Sequence, residues 1–452
     1  MKKILLSGAA LLMAFTGAKA QWAEEITTNW DLLNYGGFMP LCMSTHGQYL
    51  GGATFSNNAF MYNIPEWTSL IITEEMGSVV TEMGSPEITA VTDNGVAVGF
   101  DGSGAFKIEN GKYSILSREN SQYPIITPND ISDDGKIVVG YVADGTFYQY
   151  ACYWDNGARM LLPRPKDEEL GYKTYGARAN RITADGSLIL GNFVDAKGSK
   201  PMILWQRQAD GTYKYLPVSE GKYEPVDVLQ MDSKTGEITI KERGTNPYLR
   251  FQGGAISKDG KTVGMMIVKN SETVLFPPMQ VAYYDIETAE LEIVEPCGML
   301  SEGGEFEVTG LSDDRTLIGN IGDPLSNQTP FIMYSDTKIP TALWEAFPDV
   351  ELMQIYKLYN EGHNNFLANA ITADGTLITG YILEPDDFRG LAFVLGTKGD
   401  NLGVTTLGQE NKEEGKAEYY TIDGLRLQAP VKGLNIVRNP DGTTRKIYVS
   451  GN

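Results

Sequence analysis

The chain is poor in the residues from which most catalytic and metal sites are built. It holds two histidines, His46 and His363, and three cysteines, Cys42, Cys152 and Cys297, in 452 residues. Two histidines leave little for a histidine-based zinc site or a serine–histidine nucleophile. An odd, sparse set of three cysteines excludes the dense disulfide framework of small secreted domains, and at most one bridge can form. Cys42 and Cys152 fall in strand-like runs, where a lone cysteine acts as a small apolar residue. The metalloprotease helix motif, the P-loop and the dinucleotide fingerprint are all missing. No metal ligand and no cofactor is therefore assigned. Beyond residue 20, no apolar run approaches the roughly 18 residues that cross a bilayer. Positive charge is also scarce, with 37 Lys and Arg against 58 Asp and Glu, a net charge of −21. Such a surface repels phosphate backbones and anionic lipid heads, so nucleic acid is excluded as a partner and the charge favours solubility.

Residues 1–20 read as a secretory signal peptide. Lys2 and Lys3 precede a short apolar run at 4–15, and Ala18-Lys19-Ala20 forms a small-x-small cleavage site. The expected destination is the cell surface or the medium, with the periplasm as the alternative. After it, one pattern recurs seven times: a Ser or Thr, a tight polar turn, then an apolar run usually ending in Gly. The copies are MSTHGQYLGG (43–52), VTDNGVAVGF (91–100), ISDDGKIVVGY (131–141), ITADGSLILGN (182–192), ISKDGKTVGM (256–265), LSDDRTLIGN (311–320) and ITADGTLITGY (371–381). Repeats of this length indicate one small structural unit used many times.

The third copy shows what the unit is. A short extended run at 129–132 meets the turn Asp133-Asp134-Gly135, where Gly accepts positive φ without strain. Residues 136–142 form a second strand rich in β-branched side chains. A third strand lies at 149–154 and a fourth at 158–162. Every unit has an equivalent third strand, from AFMYN (59–63) to AFVLG (392–396), with a bulky residue in its fourth slot: Tyr62, Ile108, Trp154, Trp205, Tyr284, Tyr334 and Leu395. Variable bulk in a fixed slot signals packing between neighbouring units. The expected fold is all-β: a seven-bladed β-propeller of four-stranded antiparallel blades.

Unit seven lacks a fourth strand of its own. The segment 26–33 is expected to supply it, closing the ring and covering an open edge. An extra hairpin is expected at 227–242, and a short helix broken near Pro348 at 341–359. The domain plan is a signal peptide at 1–20, the propeller at 21–398, a polar linker at 399–416 and a small β tail at 417–452.

Two resemblances accompany this reading. The Ala-Phe and Asp-Gly signatures, as in AFMYN and AFKIE, resemble the repeats of secreted extracellular β-propellers. The tail YYTIDGLRLQAPVKGLNIVRNPDGTTRKIYV (419–449) resembles the C-terminal sorting regions of type IX (Por) secretion cargo. It shares the turn Asp423-Gly424, a short strand, Gly433, the Ile436-Val437 strand and the basic Arg445-Lys446 strand. That resemblance implies secretion machinery as a partner.

Candidate chemistry is sparse. The acidic turns accept His46, Asn94 and Arg315 in their variable slots, which a calcium ligand set would not tolerate. Their hydroxyls, on Ser44, Thr92, Ser132, Thr183, Ser257, Ser312 and Thr372, suit the capping of turn amides. Three residues earlier stand Thr89, Asn129, Asn180, Thr309 and Asn369, with Leu41 and Gly254 in the other units. In a propeller these lie on the innermost strands at the channel mouth. They could bind a sugar or peptide there, or satisfy strand-end backbone. Trp67, Tyr172, Tyr175 and Trp344 are candidate stacking platforms or rim packing. The acidic runs at 74–75, 167–169 and 386–387 read as solvated loop charge. The expected function is a non-catalytic binding or interaction protein for a glycan or protein ligand. The alternative is a polysaccharide hydrolase or lyase using carboxylates at the channel mouth, since such chemistry needs only two.

Overall fold

The computed structural model describes residues 21–26, most of 36–397, and four strands between 418 and 449. Within the long span, 74–75, 79–85, 147, 171–173, 196–199, 217, 219–227, 233–234, 236–237, 243–247, 272–276, 302–303, 323–326, 362–364 and 384–388 lie outside the described residues. So do the expected signal peptide, the linker and Tyr172.

Each recurrent turn folds in the same way, because its hydrogen bonds are local. The backbone N–H of the fourth residue donates to the carbonyl of the Ser or Thr in all seven units, as in Gly135 to Ser132 at 2.8 Å and Gly375 to Thr372 at 3.0 Å. That fourth residue is left-handed: φ is +71° at Gly135, +69° at Gly375 and +65° at Arg315, which stands where the other units have Gly. The Ser or Thr side chain then turns inward. The Ser132 hydroxyl accepts from the amide of Ile137 at 3.1 Å, and that of Thr372 accepts from Thr376 and Leu377 at 3.0 Å each. All seven of these hydroxyl residues are buried. The turn is thus a capped scaffold element, as its slot variation suggested.

The flanking runs pair into antiparallel sheets. The first unit comprises Phe38–Met43, Tyr49–Thr54, Ala59–Asn63 and Thr68–Ile72, hydrogen-bonded in that order. The second comprises Glu87–Val91, Ala97–Asp101, Gly104–Glu109 and Lys112–Arg118. Later units repeat the order, and the described residues of 21–397 are nearly all β. Units three and four join through a single parallel pairing of Gln149 with Gly176.

The seventh sheet contains Phe366–Ile371, Leu377–Leu383 and Gly390–Gly396. Its fourth strand does come from the N-terminal end of the chain, but it is Trp22–Glu25 rather than 26–33. Trp22 pairs with Gly396 and Glu25 with Phe393. Ile26 follows as a buried residue, and 27–35 lie outside the described residues. The more apolar segment was the stronger strand candidate by composition. The observed register instead lets the Trp22 indole fill the space beside Gly396.

The core is divided among the junctions between sheets. Among the described residues, seven apolar clusters each join two successive units. Trp154 of unit three packs with Val98 and Ala105 of unit two. Trp205 of unit four packs with Ile137 and Val139 of unit three. One cluster joins Leu377 and Val394 of unit seven to Leu50 and Tyr62 of unit one. Six of the seven fourth-slot residues are buried, and Tyr334 is half-buried against the cluster joining units six and seven. Burying a large apolar side chain contributes about 1.5–3 kcal/mol, so the buried residues of each cluster together stabilise its junction.

The hairpin expected at 227–242 forms from Val228–Met231 and Ile238–Glu242. The expected helix is split into Leu343–Ala346 and Glu351–Glu361, with Pro348 between them. Its apolar side, Leu343, Phe347, Val350, Met353 and Tyr356, joins the cluster between units six and seven. Residues 403–452 form a separate unit. Within it, Arg426–Leu427, Glu418–Thr421, Gly433–Arg438 and Thr444–Val449 make one antiparallel sheet in that order.

Candidate functional site

The recurrent polar residue before each turn has a defined backbone position. In every unit the first and second strands slip register by one residue, and the extra residue is Leu41, Thr89, Asn129, Asn180, Gly254, Thr309 or Asn369. A bulge residue has no ladder partner, and its side chain is re-aimed. Here four of them reach the next sheet. The Thr89 hydroxyl donates to the carbonyl of Pro128, and the Asn129 amide to that of Ala179, each at 2.7 Å. The Thr309 hydroxyl donates to Ala368, and the Asn369 amide to Pro40, again at 2.7 Å. Each acceptor immediately precedes the bulge residue of its own unit. Asn180 does not take part in this pattern: the link from unit four to unit five is made by Asn192, which donates to the carbonyl of Gly253 at 2.9 Å. The recurrence was visible in the sequence, but its acceptors were not, since they lie 39 to 329 residues away.

The turns form a second series of links. The amide of Asp133 donates to the carbonyl of Ala184 at 2.9 Å, and that of Ala184 to Lys258 at 3.0 Å. The amide of Asp259 donates to the Asp313 carboxylate at 3.0 Å. Asp313 then donates to Ala373 at 2.7 Å, and Ala373 to Thr45 at 2.9 Å. Between units one and two a side chain takes over: His46 donates its amide to Asp93 at 3.1 Å and places its ring Nδ1 2.6 Å from the same carboxylate. Thr45 donates to Asp133 of unit three at 2.5 Å. Thus ligating atoms of His46, Asp93 and Asp133 lie within 4.8 Å of one another. Sequence reasoning treated His46 as a turn residue and did not foresee this gathering.

A charge pair links the first strand of unit three to the turn of unit five. Asp130 accepts from the amide of Ile182 at 2.9 Å and from Lys258 at 3.5 Å, while Lys258 also donates to the carbonyl of Ile182 at 3.3 Å. Glu87, at the start of the first strand of unit two, is half-buried, and burial pushes its carboxyl up to about 7. Burial, reinforced by Asp130, also pushes the Cys42 thiol well above its ordinary range, so it is inert at neutral pH. The arrangement offers acceptor lone pairs, a carboxyl that titrates near neutrality, and few uncommitted donors.

Among the other candidates, Trp67 stands edge-on to Tyr62 with ring centroids 6.1 Å apart, and Trp344 stacks on Phe366 at 6.1 Å. Tyr175 is exposed. Residues 167–169 open a short helix in which Asp167 pairs with Arg164 at 2.9 Å. The pairs at 74–75 and 386–387 lie outside the described residues.

No family model and no curated protein sequence matches this chain. Among solved structures, it is similar to an oligogalacturonate lyase from Vibrio parahaemolyticus, with 10% identity, 83% of this chain and 93% of that chain covered, and a TM-score of 0.47. It is similar to an oligogalacturonate lyase in complex with manganese at 10% identity, with 79% and 88% covered and a TM-score of 0.44. TolB from Acinetobacter baumannii follows at 13% identity, with 66% and 63% covered and a TM-score of 0.36.

Proposed function

We propose that this chain is an exported, non-catalytic β-propeller that binds a glycan or a protein. Its seven sheets are taken to close around one axis as blades, with residues 1–20 removed on export and the tail at 417–452 serving as a sorting module. Its place is then the cell surface or the medium, with the periplasm as the alternative. The observation that carries the reading is the tie between the last unit and the first. Ala373 bonds Thr45 and Asn369 bonds Pro40, by backbone and side-chain links that each join three of the other six successive pairs of units. A ring so tied offers one rigid mouth surrounded by loops, which is the geometry of a binding platform. The ligand would meet Asn180 and the lone pairs and amide protons that the inter-sheet bonds of Thr89, Asn129, Thr309 and Asn369 leave over.

A hydrolase or lyase is the second reading, and Glu87 favours it: a carboxyl titrating near 7 suits a general acid or base. A glycan array run beside a turnover screen on the same polysaccharides separates the two. Saturable binding without turnover supports the binding protein. Turnover abolished by Glu87→Gln establishes the enzyme and overturns the first reading. Absence of both glycan binding and turnover leaves a protein ligand as the surviving form.

A further inference from the structure

A cavity of about 320 Å³ opens between units three and four, against the start of the first strand of unit four, Thr174–Ile182. Its existence follows from a local backbone accident. Gln149 and Gly176 form the single parallel pairing that joins the two sheets, and Gly176 takes φ +98°. A side chain at 176 would collide with the carbonyl of Gln149. The two sheets meet at this point and diverge beside it, and the cavity lies beside it.

The lining has three distinct parts. Tyr148 and Tyr150 form an aromatic wall, with ring centroids 4.9 Å apart and planes tilted by 49°. Ala151, Leu162 and Ala177 are buried and give an apolar floor, with Leu161, 49% exposed, at the lip. The third part is polar. Arg164 donates to the Tyr148 hydroxyl, to Asp167 at 2.9 Å and to Thr174 at 3.1 Å. The Tyr150 hydroxyl donates to Asp144 at 3.0 Å.

We infer that this cavity is a carbohydrate subsite for a neutral pyranose. Its volume lies at the lower end of small-ligand pockets. An aromatic wall over an apolar floor accepts the C–H face of a sugar ring, and the polar edge accepts its hydroxyls. Charge selects among sugars. Arg164, the cation lining the cavity, is already neutralised by Asp167, and the whole chain carries −21. Among the described lining residues Arg164 is the one cation and it is paired, so a uronate or phosphate would enter against the field. A wholly apolar occupant would bury the Arg164–Tyr148 edge without giving it a hydrogen bond. The subsite is separate from the bulge ring, and its failure leaves the reading above intact.

The test uses the full mature chain and isothermal titration with cellotetraose, mannotetraose and chitotetraose, with tetragalacturonate as the anionic control. One or more neutral tetrasaccharides should bind. Affinity should fall about tenfold in Tyr148→Ala, the scale of one lost stacking contact. It should fall also in Leu161→Ser, whose exposed position keeps the fold intact, and stay unchanged in Leu358→Ser on the distant helix Glu351–Glu361. A sugar bound instead at the bulge ring would respond to Asn369→Ala and not to Leu161→Ser, which overturns the proposal. So does failure of every neutral probe to bind at about 10 mM, or tighter binding of tetragalacturonate.

Discussion

Trp22 and Gly396 face each other across the outer edge of the seventh sheet, and the indole fills the space a side chain at 396 would need. Twenty-two residues from the start, the chain thereby completes a sheet whose other strands begin at Phe366. Gly396→Ala should displace the indole and destabilise the protein by about 1–3 kcal/mol. Deleting 21–26 should cost more, since it exposes Val394 and Leu395 at a bare edge. Melting curves for both variants check this, and parental curves would show that the strand does not hold the sheet.

Asn369 carries the side-chain link from the last unit to the first. Removing its amide leaves the carbonyl of Pro40 without that donor. Asn369→Ala should lower unfolding stability by about 1–2 kcal/mol. Asn129→Ala, which breaks the equivalent bond to Ala179, should do the same. Denaturant titration measures both.

The Thr372 hydroxyl accepts from two amides and donates to Asp374 at 2.7 Å while fully buried. Thr372→Val preserves the shape and removes the side-chain acceptor of the Leu377 amide, while Thr376 keeps its bond to Asp374 at 3.0 Å. It should cost roughly 2–3 kcal/mol, whereas Thr372→Ser should cost under about 1 kcal/mol. A valine variant as stable as the serine variant would show that the turn is held by backbone alone.

Glu87 predicts a pH dependence. Burial raises its carboxyl from 4.5 to about 7, so the folded protein keeps a proton that the unfolded chain has already released over that interval. Its contribution to stability is complete below pH 4.5 and is lost as the pH rises through 7. Glu87→Gln should remove this slope and leave the variant more stable than the parent above pH 7, by about 1–3 kcal/mol. Urea midpoints at pH 5 to 8 read it out, and parallel curves for the two proteins would refute it.

His46 gains a proton affinity above its ordinary 6.5, because its hydrogen bond to Asp93 outweighs burial. Asp93 moves the opposite way: burial raises it, but hydrogen bonds from Ser44 and His46 outweigh that and lower it. The pair's contribution is present below pH 6.5 and fades as His46 deprotonates. It is small, because the His46 side chain is 66% exposed. With two histidines in the chain, proton NMR titration follows His46 directly, and Asp93→Asn should lower its midpoint.

The turns, the strand order and the bulky fourth slot could all be read from the amino-acid string, because each depends on neighbours in sequence. Gly135 is required by the left-handed turn it closes, and the Ser132 hydroxyl caps an amide five residues on. The split of the helix at Pro348 was legible for the same reason. The edge strand of unit seven was legible as a need, but its register was not. Nothing in the strand-like pattern of 26–33 reveals that an indole at 22 fits beside a glycine 374 positions later.

By itself, the sequence determined that the chain makes one antiparallel β unit seven times, since alternation, turn chemistry and capping act over a few residues. Tertiary structure alone decided where the bulge residues spend their donors, why Asp93 and Asp133 gather at His46, and that a cavity opens where Gln149 meets Gly176. Those outcomes depend on which sheet faces which, and a hydrogen bond 329 residues long leaves no trace in local pattern.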